Sequence, residues 1–451
     1  MVAGSITAPS QLRALIMIIA AASAGTALFD WARSHGAVVS NSLRITESHP
    51  RGLEVSRPVE AGEPLVVLPP HLQLGLQELG GSAELEIMAA KCNEPALWSM
   101  QLGVALCAAR RQGSDSRWHA YTEQLPQKLS SALAPWSGDS AALTAWPPTA
   151  QRVAGMRATL RRLHAASAPA ALELDELCWA TAIAASRAYR VRPGVGADAA
   201  RLLPVIDLAN YDTTKRATAE VGNAPAGHAP QSVALLATAD LAAGTAVTVD
   251  YGRGRPLDNE RLLLEYGFTL PALEHDTLRL PLGAISAGLA HVAGTSGTSD
   301  GESDGESDGG GGGSGGDGDG DAEGTLSEEE MAELGALQAA ALGRLGDVEE
   351  HGLRFLGGGA PDERTRAVAR ALCARKPAEL AEATTAATPP PAALEDRATA
   401  VLRAVAACAL SEMGEAGGVG EDEGEEEGGF EAAARGYCEE RRAILRRAAV
   451  L

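Results

Sequence analysis

The stretch Leu203-Pro204-Val205-Ile206-Asp207-Leu208-Ala209-Asn210-Tyr211, with Ala243-Gly244 and Val249-Asp250-Tyr251-Gly252 further on, organises the reading of the whole chain. Short apolar runs read as strands at Leu202 to Leu208, Val233 to Ala237 and Val247 to Tyr251. Working back toward the N-terminus, Val38 to Pro70 is also extended: Leu53 and Val55 alternate with polar neighbours, and Val66-Val67-Leu68 ends at Pro69-Pro70. Between these regions helical spacing predicts helices over Trp98 to Arg110, Gln151 to Ala166 and Asp175 to Tyr189. The first two-thirds is thus expected to be β-rich, interrupted by a helical insertion at about 95–190.

Working forward, Gly294 to Gly324 is Gly, Ser, Asp and Glu with a tandem GESDGESD, too poor in apolar residues to offset its ordering entropy. It reads as a disordered linker. Ser327 and Glu330 form a capping box, after which Leu, Ala and Met recur at helical spacing to Leu356, and three more helical segments follow. The expected fold class is α+β, with an all-α C-terminal domain. The domain expectation is an N-terminal extension at 1–26, a β-rich domain at 27–283, the linker at 294–325 and the helical domain at 326–451.

The chain has 451 residues and a formal charge of −21, but the excess is local. Asp300 to Glu330 holds 12 acids and Glu412 to Glu431 holds 9, with no Lys or Arg in either; the remainder balances. Composition therefore announces no nucleic-acid-binding face. Cysteines at 92, 107, 178, 373, 408 and 438 are never closer than 15 residues, which leaves no CxxC pair and favours reduced core thiols. Four lysines stand against 34 arginines, a coding bias rather than a function. Ala14 to Phe29 is uncharged for 16 residues, short of the roughly 20 a membrane span needs. With no acid before Asp30 and an Ala22-Ser23-Ala24 step, this segment is either a targeting sequence or a first helix packed on the domain.

Several motifs carry no chemistry. Asp317, Asp319, Asp321, Glu323 and Glu328 fit positions of a calcium loop, but Ala322 stands where the loop turns on glycine and no helix precedes it. Gly194-Val195-Gly196 lacks a preceding strand and a third glycine. The histidines show no two-ligand spacing, and no metal is expected.

Other stretches form an ordered series: Arg51-Gly52-Leu53; Ala61-Gly62-Glu63-Pro64; Trp118-His119-Ala120-Tyr121; Ser186-Arg187-Ala188-Tyr189; the segment at 203–211; Asp250-Tyr251-Gly252; and Asn259-Glu260-Arg261-Leu262-Leu263-Leu264-Glu265-Tyr266-Gly267-Phe268. In order and spacing this series resembles the SET-domain methyltransferases, in the branch of the plant Rubisco large-subunit lysine methyltransferase and its SETD-type relatives. Tyr437-Cys438-Glu439-Glu440-Arg441-Arg442 resembles the closing helix of that branch's substrate-binding domain. The resemblance covers about Leu28 to Pro281 and Leu326 to Leu451. It implies small β-sheets with a threaded crossing, the Asn210-Tyr211 segment lying against Tyr251-Gly252.

It also implies the chemistry. Methyl transfer from S-adenosylmethionine to lysine is an in-line displacement that needs a neutral amine, and a lysine of pKa near 10.4 loses its proton more easily in an aromatic-walled, poorly solvated channel. By the resemblance Tyr251 is the catalytic tyrosine and Tyr266 a channel wall. Arg51, Gly52 and Leu53 offer backbone contacts to the methionine end of the cofactor, Arg187 meets its carboxylate, Asn210 its amino group, and Tyr211 its adenine through the backbone. Pro50, Tyr211 and Tyr189 depart from the usual glycine, histidine and phenylalanine of the family. The resulting expectation is a protein-lysine N-methyltransferase acting on a non-histone protein that the C-terminal domain docks. The enzyme would be a monomer with no nucleic-acid or membrane partner. The alternatives are a histidine-specific enzyme of the same branch and a non-catalytic binding scaffold. Chloroplast residence is implied by the Rubisco-type relatives, with cytoplasm or nucleus as the alternative.

Overall fold

In the computed structural model the described residues are 27–46, 51–79, 82–92, 94–133, 140, 142–167, 172–191, 199–212, 216–252, 257–271, 273, 276–296, 328–344, 352–383, 390–413 and 425–450. The readings placed on 1–26, Pro50, Gly194 to Gly196, the calcium-like loop at 317–327 and the acidic stretch at 414–424 lie outside them. The chain divides into two compact units, one of residues 1–141, 149–270 and 418–434, the other of 142–148, 271–417 and 435–451. The first-domain boundary expected at 283 thus falls within the second unit.

The first unit begins with helix α1 (27–34) and four short strands, β1 (Val38–Val39), β2 (Leu43–Thr46), β3 (Gly52–Val55) and β4 (Pro64–Leu68). Helices α2 (Ala83–Lys91), α3 (Trp98–Arg111), α4 (Pro147–Ser167) and α5 (Leu174–Arg187) form the insertion. Helix α3 is buried from Leu102 through Ala109 and packs on α5, which is why its apolar residues run on rather than forming one stripe. Leu102, Val104 and Leu106 each contribute about 1.5–3 kcal/mol by burial. Helix α5 stops at Arg187, two residues short of expectation, because Ala188 and Tyr189 open β5 (Ala188–Val191), which pairs with β6 (Ala199–Leu202).

Past β6 the strand expected to reach Leu208 is absent. Pro204 has no N–H to give a ladder. The chain turns at Val205, runs through a 3-10 turn at Ile206–Leu208 and re-enters a sheet only as β7 (Asn210–Tyr211). Val205 is fully buried at φ 71°, ψ −49°, near γ-turn values that a β-branched residue rarely adopts. Strands β8 (Ala219–Asn223), β9 (Val233–Ala237) and β10 (Ala246–Val249) complete two four-stranded sheets, ordered β1-β4-β9-β8 and β2-β3-β10-β7. The pair β7–β10 is parallel, Asn210 opposite Thr248 and Tyr211 opposite Val249, so Tyr211 lies beside the strand that leads into Tyr251.

The second unit is not all-helical. Strand β11 (Thr277–Leu280) pairs antiparallel with β12 (Leu353–Leu356), inside the region read as helix. Leu353 and Phe355 are buried while Arg354 and Leu356 are not, a period of two that a four-residue stretch cannot advertise. Helix α6 (Ala284–Ser296) extends three residues into the segment read as linker, and α7 (Glu328–Arg344) follows. After β12 four helices follow among the described residues where three were expected: α8 (Glu363–Cys373), capped by Asp362, α9 (Pro377–Ala383), α10 (Ala392–Glu412) and α11 (Glu425–Ala448). Arg441 of α11 is buried, ion-paired with buried Asp276, donates to Thr277 O and lies 4.7 Å over the Tyr437 ring. Among the described residues no helix is long and apolar enough to cross a membrane.

Candidate active site

The sheet order β3-β10-β7 brings three distant stretches together. At one corner Asn210 Nδ2 donates to the Arg51 carbonyl at 3.2 Å. A Cβ at Gly52 would stand 2.6 Å from that amide, so only glycine permits the approach. The Arg51 guanidinium turns elsewhere, its Nη2 donating to Gln124 Oε1 at 3.0 Å. Leu53 sits within the ladder opposite Val247 and Ile45, its side chain in the core. Arg51, Gly52 and Asn210 therefore meet, whereas Leu53 serves the sheet.

Tyr251 follows β10 directly. Tyr266 arrives on a single π-turn, Leu262–Tyr266, ended by Gly267 at φ 78° and packed against the Ser130 backbone where a side chain would collide. The two rings stack at 4.5 Å and 23°. Tyr211, the tyrosine in the histidine position, tilts against Tyr251 at 5.3 Å and Phe268 at 6.2 Å, so its ring has joined an aromatic cluster. The Tyr251 hydroxyl donates to Ala209 O at 3.4 Å, and burial pushes its pKa up to about 12.

A cavity of about 40 Å³ opens among Ser186, Arg187, Tyr189, Asp207, Tyr251 and Tyr266. Arg187 Nη1 donates to Asp207 O at 3.1 Å and lies 3.6 Å from Asp207 Oδ2, which accepts the Tyr121 hydroxyl at 2.8 Å. Asp207 Oδ1 is buried with no hydrogen-bond partner among the described residues. Burial raises the Asp207 pKa above the ordinary carboxylate value, outweighing the lowering by Arg187 and Tyr121. Tyr189 is raised well above the usual phenol value, by burial first and then by its Tyr251 and Asp207 neighbours.

Tyr251, Tyr266 and Arg187 thus share one pocket, next to the Arg51-Gly52-Asn210 corner, and Tyr211 is not among the residues that line it. Sequence reasoning assigned no role to the Asp207 carboxyl, to Tyr121 or to Phe268. Tyr121 stood in a quoted motif, but nothing local shows that its partner is 86 residues away. No cluster of potential metal ligands occurs among the described residues.

Compared as a sequence, the chain matches no protein-family model and no curated protein. Compared as a structure, it matches the SET domain of LSMT bound to MeLysine and AdoHcy with a TM-score of 0.61 at 14% identity, covering 95% of this chain and 90% of that one. The SET domain of LSMT bound to lysine and AdoHcy matches at 0.62 and 15%, covering 94% and 90%. Rubisco LSMT bound to AdoMet matches at 0.60 and 13%, covering 95% and 91%. At this identity the likeness speaks for architecture, and on that ground the chain has the SET-domain fold of Rubisco LSMT.

Proposed function

We propose that the chain is an S-adenosylmethionine-dependent protein-lysine N-methyltransferase acting on a non-histone protein. The observation that carries this reading is the small cavity lined by a stacked tyrosine pair together with Arg187 and Asp207. A cavity of about 40 Å³ admits only the tip of a side chain. Its aromatic walls disfavour the ammonium by desolvation, which helps lysine shed its proton. Tyr251, with a pKa of about 12, keeps its proton at neutral pH, so it orients the amine by hydrogen bonding rather than accepting a proton as phenolate.

The residues also fit the cofactor. Gly52 leaves the backbone open at Asn210, whose amide is already held by the Arg51 carbonyl, and Arg187 has N–H groups beyond those turned toward Asp207. When bound there, S-adenosylmethionine supplies a methyl group on a sulfonium. Arg51, Gly52 and Asn210 would hold its amino-acid end, Arg187 its carboxylate, and Tyr211 its adenine. Carbonyls near Ala209, where the Tyr251 hydroxyl already points, add weak CH···O contacts to a polarised methyl. Docking of the substrate by the second unit, a monomeric state and a plastid location belong to the same proposal.

The test is transfer of tritiated methyl from S-adenosylmethionine into candidate protein acceptors, followed by acid hydrolysis. Methyllysine among the products supports the reading, and methylhistidine transfers it to the histidine-specific alternative. Absence of both transfer and calorimetric cofactor binding leaves a scaffold.

A further inference from the structure

The second unit holds a cavity of about 180 Å³ between α8 and α10, with Pro361, Ala398 and Leu402 at its base and Arg366, Glu395 and Arg403 around it. That volume is below the roughly 300–1,000 Å³ of a site for a whole small molecule and suits one or two side chains. Its charges are unevenly matched. Glu395 Oε2 accepts from Arg370 Nε at 2.5 Å and its Oε1 from Arg366 Nη1 at 3.3 Å, so both oxygens of the one carboxylate are engaged by guanidiniums. The Arg370 hydrogen bond holds the Glu395 pKa below the usual carboxylate range. Arg366 reaches Glu395 through Nη1 alone, and Arg403, exposed, has neither hydrogen bond nor ion pair among the described residues. Arginines facing a small apolar base are poor company for one another unless an anion joins them.

The geometry points to this cavity as a docking pocket for an acidic side chain of a partner protein, its methylenes against Ala398 and Leu402 and its carboxylate between Arg366 and Arg403. Charge complementarity selects the occupant: of the charged residues lining the cavity two are arginines and the one carboxylate is already engaged, so a basic or neutral partner gains nothing there that it lacks elsewhere. The inference does not depend on methyl transfer.

The test uses the full chain and a fluorescein-labelled peptide of about nine residues with a central Glu-Leu-Glu flanked by Gly and Ser, read by fluorescence anisotropy at low salt. Wild type should bind it at least tenfold more tightly than the Gln-Leu-Gln counterpart. R403E should weaken binding at least tenfold with an unchanged melting temperature, and R403K should retain most of it. Equal binding of the two peptides, no binding, or indifference to R403E overturns the proposal. Peptide binding that appears only after deletion of residues 300–323 would assign the pocket to the chain's own acidic segment and also overturn it.

Discussion

Replacing Asp207 by asparagine separates a carboxylate kept for chemistry from one kept for stability. The Arg187 bond to the Asp207 carbonyl, 3.1 Å, belongs to the main chain and survives, and the new amide oxygen can still accept from Tyr121, now at 2.8 Å. What is lost is an approach of 3.6 Å to Arg187, whose side chain is 25% exposed, worth about 0–1 kcal/mol. An amide nitrogen in place of the orphan Oδ1 costs about 1 kcal/mol more. Against this stands relief from holding a buried carboxylate. Because the folded pKa of Asp207 is raised above 3.8, the folded protein holds this proton to higher pH than the unfolded chain does. The aspartate's contribution is therefore most favourable below the unfolded pKa and falls as pH rises through the folded value, whereas asparagine does not titrate. The stability of D207N relative to wild type should rise as pH increases from the unfolded pKa of 3.8 through the raised folded value. Meanwhile methyl transfer should fall at least about tenfold. Scanning calorimetry across that range, with tritium transfer beside it, checks both. A D207N protein less stable by more than about 2 kcal/mol at neutral pH, with the gap closing on acidification, would show a carboxylate of depressed pKa and refute the reasoning.

Tyr251→Phe keeps the stack on Tyr266 and removes the hydroxyl with its long hydrogen bond to Ala209 and its backbone hydrogen bond at Tyr211, so turnover should fall about 10²–10³-fold while calorimetric cofactor affinity stays within about twofold. Undiminished transfer would remove Tyr251 from the chemistry. Tyr211→His loses the ring contacts to Tyr251 and Phe268 but keeps the β7 backbone, so S-adenosylmethionine affinity should change by less than about tenfold; wild type that fails to bind until histidine is restored would favour the scaffold. Asp276→Ala strands a buried guanidinium and should cost about 3–5 kcal/mol in urea unfolding, most of it recovered in the D276L/R441M double variant; a cost below about 1 kcal/mol would mean that Arg441 finds another partner.

The strands at Val66 to Leu68 and Val233 to Ala237 were legible because buried strands leave uninterrupted apolar runs, and α3 because a fully buried helix does the same over a longer span. The 203–208 segment misled for the same reason. It is buried, and burial without periodicity does not distinguish a strand from a tight turn. Leu353–Leu356 was lost to its helical surroundings, since its strand character depends on β11, more than seventy residues earlier. Tyr251, Tyr266 and Asn210 were singled out through the order of motifs, and Asn210 comes beside the strand leading to Tyr251 through a parallel pairing that no local pattern announces. Arg441 illustrates the limit in the other direction. An arginine in a charged helix reads as solvated surface, and only the fold shows it buried against Asp276.

Val205 gives the pocket a particular mechanical character. A buried β-branched residue held at φ 71° stores about 1–3 kcal/mol, and it persists only because the elements on either side over-determine it. The turn it forces carries Asp207 and Ala209 and delivers the chain into the ladder at Asn210. The backbone carbonyls of this segment are thereby set by covalent geometry and sheet register rather than by side-chain rotamers. In the proposed methyl transfer their dipoles would not have to swing into place as charge leaves the sulfonium, so the reorganisation that water would demand is completed once, when the protein folds.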